Sequence, residues 1–179
     1  MPQFPPGAFR RYNETPDERL YRTPRLVTHI DDHAIGAVTQ LYREHFPPGG
    51  AILDLMSSWV SHLAPEATYG RVVGLGMNEV ELKQGPRLDE YVLQDLNRNP
   101  RLPFGDGEFD GTGICVSIDY LIQPVQVVRE VGRVLKIGAP LVVTFSNENL
   151  PRRQRPRACR RGLRAPFGSR GGRRSGRVG

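Results

Sequence analysis

Only two cysteines, Cys115 and Cys159, occur in 179 residues. That is too few for a disulfide framework, and Cys115 sits inside an apolar run, where it reads as a buried packing thiol. Long hydrophobic runs are also missing. Nothing approaches the ~20 consecutive apolar residues that cross a bilayer. The opening segment, MPQFPPGAFRRYNETPDERLY, has no apolar core of the kind an export signal needs, so the expected location is the cytoplasm. Acidic residues are absent from 151–179, which hold 11 arginines. Residues 1–150 therefore carry 14 basic against 19 acidic side chains. The formal net charge of +6 belongs to the tail, and gives no reason for the body of the chain to bind nucleic acid. The four histidines, His29, His33, His45 and His62, lack metal-ligand spacing. His29 and His33 are four apart but straddle a predicted helix start, so no metal is expected.

The chain is organised around Ala51–Val60, AILDLMSSWV. Gly49 and Gly50 lead into a short apolar run that ends in the acid Asp54. A turn through Met56-Ser57-Ser58 follows. This pattern predicts a buried strand over 51–55 and a short helix over 58–63. In an open α/β sheet, ligands bind at the carboxyl ends of strands, which places a candidate site at Asp54 to Trp59.

Before this stretch, residues 1–24 read as an irregular arm with a turn near Pro16-Asp17-Glu18-Arg19, and 25–30 as a brief extended piece. Asp31 or Asp32 is the expected N-cap of a helix over 33–45, since a carboxylate there accepts free backbone N–H groups. Ile35, Val38, Leu41 and Tyr42 form its apolar face. After it, strands are predicted at 71–75, 91–94, 111–117 and 141–145. Asn78 is expected to cap a helix over 79–82. A second amphipathic helix is expected over 124–135, with Val125, Val128, Val131 and Leu135 inward and Gly138 as its stop. Apolar strands alternating with amphipathic helices indicate βαβ units and a parallel sheet covered on both faces.

Several pieces together resemble a known family. Asp95-Leu96, Leu102-Pro103-Phe104 and Phe109-Asp110 are similar in order to its stretch between strands three and four. Arg129-Glu130 and Arg133-Val134-Leu135-Lys136-Ile137-Gly138-Ala139 are similar to its helix-to-strand-five motif. Over roughly 41–145 the chain resembles class I S-adenosylmethionine-dependent methyltransferases of the small-molecule, type 11 branch. The resemblance implies a Rossmann-like doubly wound sheet of order 3-2-1-4-5. It also implies a cofactor, S-adenosylmethionine, and a small-molecule methyl acceptor. By position it assigns Asp54 to the cofactor's methionine end, Gly74 to strand two, and Asp95 with Leu96 to the adenine. Two departures accompany it. The three glycine positions of the family's turn hold Met56, Ser58 and Val60. The family's ribose-binding acid at the end of strand two is replaced by Gly76, with Asn78 or Glu79 the available substitutes.

Ser57 and Ser58 are candidate donors to the cofactor's carboxylate, or caps of the next helix. Asp119 and Tyr120, which follow strand four, are substrate-side candidates. Asp119 would act as a base and Tyr120 would orient the acceptor. No catalytic residue is identified.

The expected domains are an arm or lid over 1–32, a methyltransferase-like domain over 33–147, and a disordered Arg/Gly-rich tail over 148–179. The tail lacks the material for the family's last two strands. It reads as a product of out-of-frame translation, as an inert end, or as a segment binding RNA and other polyanions through phosphate contacts. Two functions stay open: methyl transfer to a small molecule, and a non-catalytic or truncated methyltransferase-like domain without cofactor activity.

Overall fold

The computed structural model describes residues 4, 5, 7–9 and 17–145. The tail and its three readings lie outside the described residues.

Five strands form one parallel sheet of order β3-β2-β1-β4-β5. They are β1 Ala51–Leu55, β2 Arg71–Gly76, β3 Glu90–Leu93, β4 Gly111–Cys115 and β5 Leu141–Thr144. The chain starts in the middle, builds outward through β2 and β3, then returns to the other side of β1 for β4 and β5. That reversal puts a topological switch point between β1 and β4, where the connections part and leave a crevice. Because every pairing is parallel, all five carboxyl ends share one edge. This is the Rossmann-like architecture expected, and β5 ends the sheet among the described residues.

Helices cover both faces. Helix α1 is Asp17–Leu20, α2 is Asp32–His45, α3 is Glu79–Lys83 and α4 is Pro124–Val134. On one face α2 places Val38, Tyr42 and Phe46 over Ile52 and Val72. On the other, α4 places Val127, Val131 and Val134 over Leu53, Leu55, Val73, Leu75 and Ile114. Alternate residues of β1 thus serve opposite layers. The glycines of β4 make the first layer possible. A Cβ at Gly111 would come within 2.7 Å of the Phe46 ring, and one at Gly113 within 2.6 Å of the Tyr42 hydroxyl. The two rings stack on each other, centroids 4.7 Å apart, in the space those positions leave.

Local signals set most boundaries. Asp31, not Asp32, is the N-cap of α2, accepting from the Ala34 N–H at 2.8 Å. Asn78 caps α3 through Val80 N and Glu81 N. Gly138 takes φ +82° after α4, the left-handed turn that glycine adopts without cost.

Several expectations are corrected. Leu41 is exposed, and Phe46 takes its place on the buried face of α2. On α4 the inward stripe is Val127, Val131 and Val134, while Val128 is exposed. The helix carries two overlapping valine stripes, and only the sheet it packs on selects one. Residues 17–20 are a helical turn, and 25–30 form no strand.

The helix expected over 58–63 is absent; the backbone from 58 to 70 is irregular. Two of its carbonyls are bonded from outside the segment. The Arg87 guanidinium donates to Ala64 O at 3.1 Å and Ala67 O at 2.7 Å, and lies over the Tyr69 ring at 5.8 Å. A fixed planar fork is suited to gathering several carbonyls at once. Arg87→Met should therefore lose about 2–3 kcal/mol, the cost of orphaning part-buried carbonyls. Urea unfolding of the variant measures this, and a loss below about 0.5 kcal/mol would show the segment to be held elsewhere.

Candidate functional site

The carboxyl edge of the sheet gathers the residues singled out from the sequence. Asp54 is the fourth residue of β1, in register with Gly74 of β2 and Gly113 of β4. With glycine on both sides, its carboxylate meets no neighbouring Cβ within the sheet. It is only 7% exposed and accepts one hydrogen bond from the Ser57 hydroxyl at 2.7 Å. Burial outweighs that bond and the lowering effect of the Ser61 hydroxyl, and pushes the carboxyl up to about 6. A buried carboxylate met only by neutral hydroxyls, with no cation beside it, is primed to receive a cation or other donor.

Beneath it on the α2 side, the Tyr42 hydroxyl is buried with no hydrogen-bond partner. Burial raises its pKa, and the nearby Asp54 charge adds to the effect. Cys115 packs at the same layer; burial pushes its thiol up to about 11, keeping it protonated and unreactive.

Two strained residues flank the switch point. Met56, just after β1, has φ +60°, and Val116, just after β4, has φ +44°. These are the only non-glycine residues with positive φ among the described residues. For a β-branched residue such as Val116 this is a true outlier. Backbone strain of this kind is concentrated at ligand crevices. Met56 occupies the first of the expected glycine positions, and the left-handed turn is kept there without glycine. The Ser57 N–H then bonds Leu75 O at 2.8 Å, drawing the turn across the end of β2. A Cβ at Gly76 would overlap the Ser57 carbonyl oxygen. No side chain fits at 76, acidic or otherwise, so the departure there follows from the path of the β1 loop.

The remaining candidates have partners within the protein. Asn78 uses its side-chain oxygen to cap α3 and donates from Nδ2 to Tyr21 O at 2.8 Å. The Ser58 hydroxyl donates to Glu81 Oε2 at 2.5 Å. Asp95, two residues past β3, accepts from Asn97 N at 2.8 Å and Arg98 N at 3.3 Å, which makes it a turn cap. Leu96 is buried in the core below it. Asp119 and Tyr120 lie in a single 3-10 turn, Ile118–Tyr120, after β4, and both are exposed. The hydroxyl of the preceding Ser117 is buried and unpartnered. Gly74 gives close passage: a Cβ there would strike Leu88 at 2.6 Å and stand 3.3 Å from the Ser57 hydroxyl.

Part of the arm or lid expected over 1–32 reaches this edge. Residues 17–27 run over the ends of β1 to β3 as a strap. Asn97 Nδ2 donates to Asp17 Oδ2 at 2.7 Å, and Arg98 pairs with Glu18. The Trp59 indole N–H donates to Val27 O at 3.1 Å. Glu81, overlooked in the sequence, is 7% exposed and accepts from Arg25 N at 2.7 Å as well as from Ser58. Its signal was present: Asn78-x-x-Glu81 reads as a capping box, in which the glutamate would return to the cap's own N–H. Here that carboxylate reaches across to the strap and the β1 loop.

Residues 56–143 match the family described as a methyltransferase domain. A demethylmenaquinone methyltransferase of Paenarthrobacter aurescens (strain TC1) is 30% identical over 109 residues, covering 58% of this chain and 42% of the relative. The chain thus spans less than half of that relative's length. Among solved structures, the PH0226 protein of Pyrococcus horikoshii OT3 matches with a TM-score of 0.55 at 22% identity, over 72% of this chain and 66% of that one. A crystallised S-adenosylmethionine-dependent methyltransferase from Mesorhizobium loti matches with a TM-score of 0.50 at 22% identity, over 59% of this chain and 52% of that one. At such identities the structural likeness shows the fold alone. No helix among the described residues is long and apolar enough to cross a membrane.

Proposed function

We propose that the protein, whose residues 56–143 match a methyltransferase domain, transfers a methyl group from S-adenosylmethionine to a small-molecule acceptor. The observation that carries this reading is Asp54: a buried carboxylate at the switch point, flanked by two glycines and met by serine hydroxyls with no cation beside it.

The residues present fit such a cofactor. Asp54 offers acceptors to an ammonium group. The orphaned Ser117 hydroxyl, at the end of β4, is a donor without a partner. Gly74, beside Asp54 on β2, lets Leu88 and the Ser57 hydroxyl pack close to the strand. The bound cofactor supplies an electrophilic methyl on a sulfonium, which an acceptor atom takes as a neutral thioether departs. The protein's part is then alignment and electrostatics. Asp119 and Tyr120, at the end of β4, stand where an acceptor would be oriented. Ser57, Ser58, Asn78, Asp95 and Leu96 remain proposed cofactor contacts. Asn78, Ser58 and Asp95 would each have to exchange a bond they now make. A soluble, cytoplasmic enzyme fits this reading.

Titration calorimetry tests it. Micromolar binding of S-adenosylmethionine, lost in Asp54→Ala, is the expected result. A folded protein that binds none would leave the second reading, a methyltransferase-like domain without cofactor activity. The engagement of Asn78, Ser58 and Asp95 by the protein's own groups favours that second reading.

A further inference from the structure

The carboxylate of Glu81 is not needed to cap its own helix. Its helix is already capped by Asn78. It does not return to that cap; it extends to the carboxyl edge of β1 and β2. There its two oxygens are shared between two donors from different segments, the Arg25 N–H at 2.7 Å and the Ser58 O–H at 2.5 Å. Two adjacent acceptors holding two separate donors match the hydrogen-bonding face of a vicinal diol. The strap supplies one donor through its main chain, and Asn78 anchors the same strap at Tyr21 O. Gly76 is barred from any such role by the Ser57 carbonyl.

We propose that Glu81 is the acceptor for the vicinal diol of a nucleoside ligand at this edge, and that the strap is its internal competitor. The inference rests on the methyl-transfer reading and deepens it. Ligand entry exchanges the Arg25 N–H for a ligand hydroxyl, and the strap shifts or lifts as this happens. A buried carboxylate that keeps both oxygens partnered in either state avoids the cost of an unsatisfied charge. The strap is thus an occupant that keeps Glu81 satisfied when no ligand is bound. Because the Trp59 indole is tied to Val27 O, and Trp59 is the only tryptophan in the chain, its fluorescence reports strap movement.

The experiment is a thermodynamic cycle on the full chain. S-adenosylhomocysteine and its 2′-deoxyribose form are titrated against wild type and Glu81→Gln. Wild type should prefer the intact diol by about tenfold or more, the range of one charge-assisted hydrogen bond, and Glu81→Gln should bring the ratio close to one. A merely structural glutamate would weaken both ligands equally and leave the ratio unchanged. That result overturns the inference and leaves the methyl-transfer reading standing, as would a wild type that binds both ligands equally. A wild type that binds neither overturns both. Arg25→Pro removes the competing N–H without touching Glu81, which keeps the test open if Glu81→Gln does not fold. It should tighten diol binding severalfold and shift Trp59 emission before ligand is added. Unchanged or weaker binding would overturn the competition.

Discussion

Asp54→Asn should stabilise the protein at pH 8 by about 2–3 kcal/mol while removing cofactor binding. The folded carboxyl is pushed up to about 6 from an ordinary 3.8, so the folded state favours the protonated form. The sign follows directly. Below the unfolded value both states are neutral at this site, and the wild type bears no penalty. Between about 4 and 6 the unfolded chain has lost the proton that the folded chain still holds, so stability falls as pH rises. Above about 6 the buried charge remains, and the penalty stays at its full size. Asparagine is neutral throughout and can still accept from the Ser57 hydroxyl. Its advantage should be greatest above pH 7, roughly 5–10 °C in Tm for a chain of this size, and should vanish near pH 4. Thermal unfolding across that range checks it. A Tm gain independent of pH would place the effect in packing and not in the charge. A site that is costly to keep ionised is expected where a ligand, not the fold, supplies the missing partner.

The second large effect is expected at Gly76. Gly76→Ala should cost about 3 kcal/mol, and Gly76→Asp more. The obstacle is a backbone carbonyl, Ser57 O, which cannot swing aside as a side chain would. Ser57 is itself fixed to β2 through its N–H to Leu75 O at 2.8 Å. Relief would require the whole turn after β1 to lift, taking the hydroxyl that bonds Asp54 with it. Gly36 in α2 is the control, since nothing lies within 4 Å of a Cβ there. Gly36→Ala should stabilise by about 0.5–1 kcal/mol through helix propensity alone. Urea unfolding of the pair separates the two causes. An equal, small effect at both positions would mean that the β1 turn yields easily and that Gly76 is free to vary.

Much of the scaffold was legible because its signals are local. Ala51–Leu55 was bounded by Gly49-Gly50 and a polar turn, and it is a strand with those limits. Asn78 marked the start of α3 because a short side-chain acceptor is useful to free N–H groups. The alternation of such pieces leads to a parallel sheet, and the reversal after β3 leads to a switch point. The failures share a different cause. The 58–63 helix rested on its place between strands, but the segment there is irregular and runs on into carbonyls at Ala64 and Ala67 that Arg87, some twenty residues later, holds. The α4 stripe was ambiguous among five valines until the sheet chose one.

For the site, residue pattern and the family resemblance together pointed to candidates that lie along the carboxyl edge of the sheet. They could not reveal what each side chain already holds. Asn78 and Ser58 looked available in the sequence, and are bonded to Tyr21 and Glu81. Glu81 looked like a helix residue, and is the acceptor joining strap to loop. The amino-acid order by itself determined the alternation of strands and helices and the parallel sheet, since these follow from short-range pattern, while the strand order came only with the family resemblance. Only the tertiary structure decided which polar groups are spent and which remain unpaired. That depends on contacts between segments tens of residues apart: 57 positions between Tyr21 and Asn78, and 56 between Arg25 and Glu81.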